Sequence, residues 1–336
     1  MVDRKITLIG GAGFIGTHLA YALAKAGATV SVIDNLMVNN LLLFAAGWKE
    51  YPQRDLYLHF LHKRLDLFKE AGISLYTLDA RQYHPLSHML DTIQPQVLIH
   101  LAAVAHAGKS NKDPYSTFDH SLRTLENTLD YARGAGVEQF VFFSSSMVYG
   151  DFQKEAVNED EPLNPKGVYG SLKVAGELLV KAYHQICDLP YTIVRPSALY
   201  GPLCVSQRVV QIFIEQALSG NSLVISGDGS ERFDFTYIDD LVQGLLLMLQ
   251  NPVALCQTFN LTCGQARSVA ELAKIVCQHF LHAIISSHKG ERDNLMPERG
   301  TLSITKARTL LGYAPQYSLE KGVAELVKWY SRVRFL

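Results

Sequence analysis

The stretch that decides the fold is Ile6–Gly16, with the sequence ITLIGGAGFIG. A short apolar run leads into a glycine-rich turn, and an apolar helical pattern follows from His18 to Leu23. Strand, turn and helix in this order are typical of the start of a dinucleotide-binding sheet. Glycines let a pyrophosphate approach the backbone, and the helix N-terminus offers free N–H groups and a positive dipole. The pattern predicts a cofactor site that contains Gly10, Gly13, Phe14, Ile15 and Gly16.

A second apolar run ends in an acid, Asp34, 18 residues after Gly16. A carboxylate at this place can accept hydrogen bonds from both ribose hydroxyls of an adenosine, and it repels a 2′-phosphate. No Lys or Arg lies between Asp34 and Lys49. We therefore expect NAD rather than NADP, with Asn35 beside Asp34 in the same site. The alternative is an acid that only caps the turn after a strand.

The composition excludes several classes of protein. The 336 residues are 48% hydrophobic with a net charge of -1, enough for one large or two modest domains. A charge near zero predicts no nucleic-acid partner and no anionic membrane partner. The five cysteines are scattered, so we expect neither a metal site nor disulfides. No signal-peptide pattern and no apolar run of ~20 residues occurs, which favours a cytoplasmic protein.

The first half of the chain alternates strand and helix patterns. Strands are predicted at 5–9, 29–33, 74–78, 96–101 and 139–144, with helices notably at 86–93 and 115–134. This alternation predicts an α/β fold with a doubly wound parallel Rossmann sheet. We predict an NAD-binding domain over 1–175 with returning strands near 191–196 and 257–262. A smaller, interleaved C-terminal α/β substrate domain is expected mainly over 176–336.

The connection at 36–72 is unusually long for such a sheet, and its apolar positions predict at least one helix. Two interpretations remain open. The insertion either covers the cofactor or contacts a partner, or it is a solvated helical insert packed on the edge of the sheet.

Two motifs carry the predicted chemistry. Tyr169 and Lys173 are spaced i, i+4 and therefore share one helix face. The lysine is expected to lower the tyrosine pKa from about 10 and to hold a cofactor ribose. Ser144, Ser145 and Ser146 follow a buried strand, where hydroxyls face the ligand crevice. Ser145 can hydrogen-bond the substrate hydroxyl that Tyr169 deprotonates, whereas Ser144 and Ser146 are equally explained as turn residues.

The chain resembles the extended short-chain dehydrogenase/reductase family, in its NAD-dependent nucleotide-sugar epimerase/dehydratase branch. The matching motifs span nearly the whole chain in the order of the family. They are Gly10/Gly13/Gly16, Asp34, Asp79, His100–Ala103, Ser144–Gly150, Tyr169/Lys173, Arg195–Pro202 and Tyr237–Asp240. The resemblance implies that Asp79 and Ala80 contact the adenine. It also implies that Leu101, Ala102, Ala103, Ser144 and Pro196 line the cofactor.

The resemblance also implies a mechanism. Tyr169 takes a proton from a sugar hydroxyl while the carbon gives a hydride to the nicotinamide, which makes a 4-keto sugar. Reduction from the opposite face gives a nucleotide-diphosphate sugar inverted at C4. Dehydratases and decarboxylases of the family carry an acid where this chain has Ser146 and Met147, so epimerisation is favoured. A non-catalytic NAD-binding regulatory protein, the third alternative, would normally lack Tyr169 or Lys173.

Several residues are expected to bind the substrate. Gly227–Phe235 resembles the phosphate-contacting segment of the family, but Phe233 stands where an arginine is usual and Arg232 lies one position earlier. On a strand this shift turns Arg232 to the other face, whereas in a loop it can reach a diphosphate. Other arginines at the diphosphate end are Arg208, Arg292 and Arg299. His106, Ser145, Ser146 and Met147 complete the predicted substrate site. His120 is expected either in the core, which is favoured, or in contact with the substrate.

The helices predicted at 115–134 and 169–187 resemble the pair that forms a four-helix interface in relatives. The resemblance thus implies a homodimer, and it implies a role in carbohydrate metabolism such as polysaccharide biosynthesis.

Overall fold

The computed structural model describes residues 1–46, 53–288 and 294–333. In chain order its strands are β1 (Lys5–Ile9), β2 (Thr29–Asp34), β3 (Ser74–Thr77), β4 (Val97–His100), β5 (Gln139–Phe143), β6 (Ala156–Val157), β7 (Tyr191–Arg195), β8 (Leu199–Tyr200), β9 (Leu223–Ser226), β10 (Arg232–Asp234), β11 (Thr236–Tyr237), β12 (Gln257–Asn260), β13 (Ala266–Ser268), β14 (Ile285–His288) and β15 (Thr301–Leu302). Its helices are α1 (Phe14–Lys25), α2 (Leu41–Ala45), α3 (Arg54–Glu70), α4 (Tyr83–Ile93), α5 (Ala107–Lys112), α6 (Pro114–Phe118), α7 (Thr124–Gly134), α8 (Gly167–Cys187), α9 (Val209–Leu218), α10 (Ile238–Gln250), α11 (Val269–Cys277), α12 (Thr305–Leu311) and α13 (Leu319–Val333).

The core of the fold is a seven-stranded parallel sheet with the order β12-β7-β5-β4-β1-β2-β3. Its central strands are apolar runs because helices cover both faces of the sheet. Ile9 pairs with Ile33 on one side and His100 on the other, so β1, β2 and β4 end at one edge. The strand order reverses between β1 and β4, and a ligand crevice forms at such a point. The predicted α/β doubly wound sheet is confirmed.

Two strands from the second half of the chain belong to the same sheet. β7 lies beside β5, and β12 lies beside β7 at the edge. Other elements of the second half build a separate apolar core, which includes Phe213, Leu272 and Leu326 and is closed by α9, α11 and α13, whereas α10 and α12 pack on the sheet. The chain therefore crosses between the sheet and this second core several times.

The insertion after β2 contributes to that second core. It contains α2 and α3, and residues 47–52 between them lie outside the described part of the chain. Tyr57, Phe60 and Leu61 of α3 are buried, and the Phe60 ring lies 4.8 Å from the Trp329 ring. The insertion does lie at the sheet edge, since α3 contacts β3, but it is not simply a solvated insert, because Tyr57, Phe60 and Leu61 of α3 are buried in the second core.

The segment predicted as one helix at 115–134 forms α6, a π-helical turn at Asp119–Arg123, and α7. Such wide turns occur mostly as local bulges within α-helices, frequently at functional sites. The helix predicted at 86–93 begins earlier, at Tyr83. Across the described residues, no helix has the length and apolar character needed to cross a membrane, and no group of three or more His, Cys, Asp or Glu could hold a metal ion.

Candidate active site

A cavity of about 600 Å³ lies at the carboxyl ends of the sheet strands, between the sheet and the second core. Most residues predicted for the site line it. They are Gly10, Gly13, Phe14, Ile15, Gly16, Asp34, Asn35, Asp79, Ala80, Leu101, Ala102, Ala103, His106, Ser144, Ser145, Ser146, Met147, Tyr169, Lys173, Pro196, Arg208 and Arg299. Arg232 borders a different, smaller cavity. Arg292 lies outside the described residues.

The glycine-rich turn forms one wall of the cavity. Gly10 has φ +75°, and a Cβ there would lie 2.6 Å from the Ala102 backbone. A Cβ on Gly16 would overlap the backbone of Gly11, so only glycine allows α1 to begin this close to the turn. The amino end of α1 therefore opens into the cavity with its first N–H groups unused by the helix. This cradle fits the pyrophosphate of a dinucleotide.

Asp34 ends β2, and each oxygen of its carboxylate accepts one backbone hydrogen bond. Oδ2 accepts a hydrogen bond from the Ala12 N–H at 3.0 Å, and Oδ1 accepts one from the Leu36 N–H at 2.7 Å. It therefore caps the turn and also lines the cavity. Burial raises its pKa. A carboxylate has about four lone-pair sites, so two remain for ribose hydroxyls.

Asp79 is part of an ion-pair chain beside the predicted adenine position. Arg81 binds the Asp79 carboxylate through Nε and Nη2 and reaches Asp119 through Nη1. Burial alone would raise the Asp79 pKa, but the hydrogen bonds and charge of Arg81 hold that pKa at about 2. Asp79 is therefore a fixed anion whose orientation is set by Arg81.

Ser145, Tyr169 and Lys173 come together deep in the cavity. Ser145 caps the 3₁₀ turn Ser146–Tyr149 and hydrogen-bonds to Tyr169. Lys173 lies one turn along α8, and its Nζ donates to the Phe143 carbonyl at 2.6 Å. The same Nζ lies 5.9 Å from the centre of the Tyr169 ring. The spacing seen in the sequence thus places a phenol, a hydroxyl and an ammonium around one point.

The predicted effect of Lys173 on Tyr169 is wrong for the protein alone. Burial raises the Tyr169 pKa, and the groups that oppose this are the Ser145 hydroxyl and the positive charges of Arg208 and Arg299. Lys173 is itself fully enclosed, and burial lowers its pKa to about 8. Desolvation of the phenol therefore outweighs these opposing groups, an effect that spacing along a helix does not reveal.

A buried polar network supports the floor of the site. Glu177 is 0% exposed and binds Arg195 through both oxygens, at 2.8 and 2.6 Å. Its Oε1 also accepts a hydrogen bond from Ser144. Ser146 donates to the Ser197 hydroxyl at 3.2 Å. Ser144 and Ser146 thus make structural hydrogen bonds and line the cavity as well. Sequence reasoning overlooked Glu177, although its i, i+4 spacing from Lys173 was a usable signal.

Acidic groups are confined to one end of the cavity. Among the described lining residues, the carboxylates are those of Asp34 and Asp79, both at the end formed by β2 and β3. The lining side chains also include Met147, His106 and Phe233. The thioether of Met147 cannot transfer a proton. His106 is half-buried, and burial lowers its pKa, so its ring is neutral at pH 7.

Cationic and aromatic side chains line the opposite end. Arg208 donates through Nη2 to the Ala105 carbonyl across the cavity. The Arg299 guanidinium stacks over the Phe233 ring, with 4.3 Å from its carbon to the ring centre. Arg232 is exposed on β10, and its Nη2 donates to the Ala266 carbonyl. Because Arg232 lies in a strand, its side chain turns away from the cavity, and its predicted place in the substrate site is wrong.

His120 belongs to the cavity rather than to the core. It sits in the π-helical turn, is half-buried and lines the cavity, with its Nδ1 2.8 Å from the Ser116 carbonyl. Its expected core position is therefore wrong. Other lining residues had no local signal in the sequence, namely Asn39, Gln207 and Met296, because long-range packing brings their segments together.

Comparison with known proteins agrees with this geometry. A UDP-glucose 4-epimerase of Mycolicibacterium smegmatis is 31% identical over 342 residues, covering 97% of this chain and 98% of the relative. UDP-glucuronic acid decarboxylase 2 of Arabidopsis thaliana is 29% identical over 96% of this chain and 67% of the relative. The crystal structure of UDP-glucuronic acid 4-epimerase from Bacillus cereus with UDP-glucuronic acid and NAD superposes with a TM-score of 0.85, at 25% identity and coverage of 98% and 100%. Residues 6–262 match the NAD dependent epimerase/dehydratase family, and the chain belongs to that family.

Proposed function

We propose that this protein is an NAD-dependent epimerase that inverts C4 of a nucleotide-diphosphate sugar through a transient 4-keto intermediate. The observation that carries the proposal is the set of groups around Tyr169. A phenol, the Ser145 hydroxyl and the Lys173 ammonium converge there, and the described lining holds its carboxylates at the far, adenosine end. Such a site can move a proton and a hydride and lacks a further acid for elimination.

The substrate class follows from the relatives. Those with the most similar sequences and folds include a UDP-glucose 4-epimerase and a UDP-glucuronic acid 4-epimerase. A UDP-sugar is therefore the substrate we propose for this chain. The decarboxylase relative makes loss of carbon dioxide the second candidate, and it is opposed by Met147, a lining residue that stands where the resemblance implies an acid in decarboxylases.

Each residue has a distinct proposed role. Tyr169 takes the proton of the sugar hydroxyl and returns one after rotation of the sugar, while Ser145 holds that hydroxyl oxygen. Lys173 binds the cofactor ribose, and the Ser145 hydroxyl together with the positive charges of Arg208 and Arg299 favours the phenolate. NAD, when bound, accepts the hydride from the sugar carbon and gives it back. The glycine-rich turn would hold the pyrophosphate, and Asp34 would hold the adenosine ribose.

For the diphosphate, we propose Arg299 as the partner that replaces the arginine usual at the position of Phe233. The Phe233 ring lies beneath the guanidinium and fixes its plane, as cation–π stacking does. A charge-assisted bond to phosphate contributes about 1.5–3 kcal/mol, so Arg299→Met should raise KM by roughly 10- to 100-fold. Phe233→Arg added to Arg299→Met should restore much of that loss. An Arg299→Met variant with unchanged KM contradicts this role.

The reaction is tested with purified protein and UDP-glucose, UDP-glucuronic acid and UDP-N-acetylglucosamine, with GDP- and dTDP-sugars as nucleotide controls. We expect a product of unchanged mass with inverted C4, identified by mass spectrometry and proton NMR. Tyr169→Phe serves as the matched inactive control. A loss of about 44 or about 18 mass units would instead reveal a decarboxylase or a dehydratase. Tight NAD binding without turnover of any of these sugars would favour a regulatory protein.

We also propose a homodimer. Tyr115 and Phe118 of α6 are exposed, as are Leu178 and Ile186 of α8, and α6 packs beside α8. Exposed apolar side chains on adjacent helices suit a four-helix interface between two copies. Light scattering should give twice the chain mass, and Leu178→Glu with Ile186→Glu should give a monomer. A cytoplasmic location, the absence of nucleic-acid or membrane partners and a role in carbohydrate metabolism complete the proposal.

A further inference from the structure

We infer that Arg64 is a positioning residue that ties the glycine-rich turn to the loop at residues 202–208, here called the substrate loop. The substrate loop joins β8 to α9, and Cys204, Ser206, Gln207 and Arg208 from it line the cavity. The inference rests on the proposed function, because it concerns how binding of NAD prepares the site for the sugar nucleotide. It also assigns a role to the insertion after β2, because Arg64 lies on α3 of that insertion.

One buried guanidinium bridges the two segments. Arg64, on α3, is 1% exposed. Its Nε and Nη2 donate to the Leu203 carbonyl at 3.2 and 2.6 Å, and its Nη1 donates to the Ala12 carbonyl at 3.3 Å. Ala12 lies inside the glycine-rich turn. The side chain therefore holds the backbones of both binding segments at once.

No direct ion pair explains this arginine, although the Asp34 carboxylate is close enough to favour its charge. In the part of the chain that the structure describes, its hydrogen bonds all go to backbone carbonyls, and none goes to a carboxylate. Burial lowers the Arg64 pKa to about 10, so it is charged at neutral pH. A buried charge costs several kcal/mol, and an apolar side chain of similar volume would pack with less cost. An apolar residue cannot supply the guanidinium N–H groups that bind the Leu203 and Ala12 carbonyls.

His18 makes a second link to the substrate loop, and Asn40 helps to fix the Ala12 carbonyl that Arg64 binds. His18 of α1 lies with Nε2 3.0 Å from the Pro202 carbonyl, and burial lowers its pKa to about 4, so the neutral ring donates there. Asn40 donates through Nδ2 to the Ala12 carbonyl at 2.9 Å. The consecutive carbonyls of Pro202 and Leu203, at the start of the substrate loop, are thus bound by the His18 and Arg64 side chains.

The substrate loop needs such support because its backbone is strained. Leu203 has φ +63° and Gln207 has φ +49°, both in the left-handed region that favours glycine. Strained residues persist only where their surroundings over-determine them. Arg64 binds the carbonyl of Leu203, and the Gln211 side chain accepts from the Gln207 N–H at 3.1 Å. Loss of Arg64 would leave only one of these supports.

The consequence is positive coupling between the two ligands. NAD bound on the glycine-rich turn would restrict the motion of Ala12. Because Arg64 binds the Ala12 and Leu203 carbonyls, the motion of the substrate loop would be restricted as well. A sugar nucleotide that binds next has less chain to order and binds more tightly. By linkage, the sugar nucleotide strengthens NAD binding by the same factor.

Calorimetry with UDP as the probe tests the coupling. UDP is titrated into NAD-free and NAD-loaded protein. The UDP dissociation constant of the NAD-free form is divided by that of the NAD-loaded form, and this ratio is compared between the unchanged protein and Arg64→Met. We expect a ratio of at least about fivefold in the unchanged protein and below about twofold in Arg64→Met. Phe68→Leu is the matched control. Phe68 is buried on the same helix but packs in the core of the sheet, so its replacement should leave the ratio unchanged.

A ratio in Arg64→Met equal to that of the unchanged protein overturns the inference. If Arg64→Met does not fold, hydrogen exchange on the unchanged protein decides instead. NAD alone should slow exchange of the amides at 203–208, and unchanged rates there overturn the inference. Failure of the proposed function looks different, because then no form of the protein binds UDP or converts a UDP-sugar.

Discussion

The burial of Lys173 predicts an unusual dependence of stability on pH. Its Nζ is enclosed between α8 and β5, 2.6 Å from the Phe143 carbonyl and 5.1 Å from the centre of the Phe142 ring. Burial lowers its pKa from 10.5 to about 8. Since one pKa unit is about 1.4 kcal/mol, the folded protein loses about 3 kcal/mol by holding this ammonium charged.

The sign follows from which state binds the proton. Below about pH 8 the lysine is charged in both states, and the cost in the folded state is fully present. Between about pH 8 and 10.5 the folded state releases the proton and the unfolded state keeps it, so stability rises with pH. Lys173→Met removes this contribution and leaves the other titrating groups in place.

The assay is urea unfolding of the unchanged protein and Lys173→Met at a series of pH values from 7 to 10.5. The unfolding free energy of the unchanged protein minus that of Lys173→Met should increase with pH by up to about 3 kcal/mol, most steeply above about pH 8. Saturating NAD should reduce the change, because ribose oxygens would accept from the ammonium. Activity should fall over the same range, since the charged form is required. A difference that stays flat within about 0.5 kcal/mol from pH 7.5 to 10.5 refutes the reasoning.

The remaining predictions concern single groups of the site. Tyr169→Phe should abolish turnover and leave NAD affinity intact in calorimetry, and near-normal turnover would exclude Tyr169 as the base. NAD should bind at least about tenfold more tightly than NADP because Asp34 repels a 2′-phosphate, and equal affinities would contradict that role. Glu177→Gln should lower the unfolding free energy in urea by about 3–5 kcal/mol, because the Arg195 guanidinium would stay buried without its carboxylate. A loss below about 1 kcal/mol would show that the pair contributes little.

The sequence predicted those parts of the site in which one short segment contains both the residues that fix the local backbone and the residues that bind or react. The glycine-rich turn needs its glycines because Gly10 has positive φ and Gly16 packs against backbone, and both constraints are local. Tyr169 and Lys173 share a helix face through the 3.6-residue repeat alone. The strand pattern of the parallel sheet is likewise local, because buried strands read as short apolar runs.

Contacts between distant segments decided the rest. In the sequence, Arg232 lies one residue before the position of the arginine usual in the family. Only the structure shows that this residue lies on β10 with its side chain turned away from the cavity, and that Arg299 stacks on Phe233. Burial of Arg64 against the glycine-rich turn depends on how α3 packs under the second core. The Tyr169 pKa depends on desolvation by surfaces that are remote in sequence. Spacing along the chain fixes which side chains share an element, whereas burial and charge arise only when elements from different parts of the chain enclose one volume.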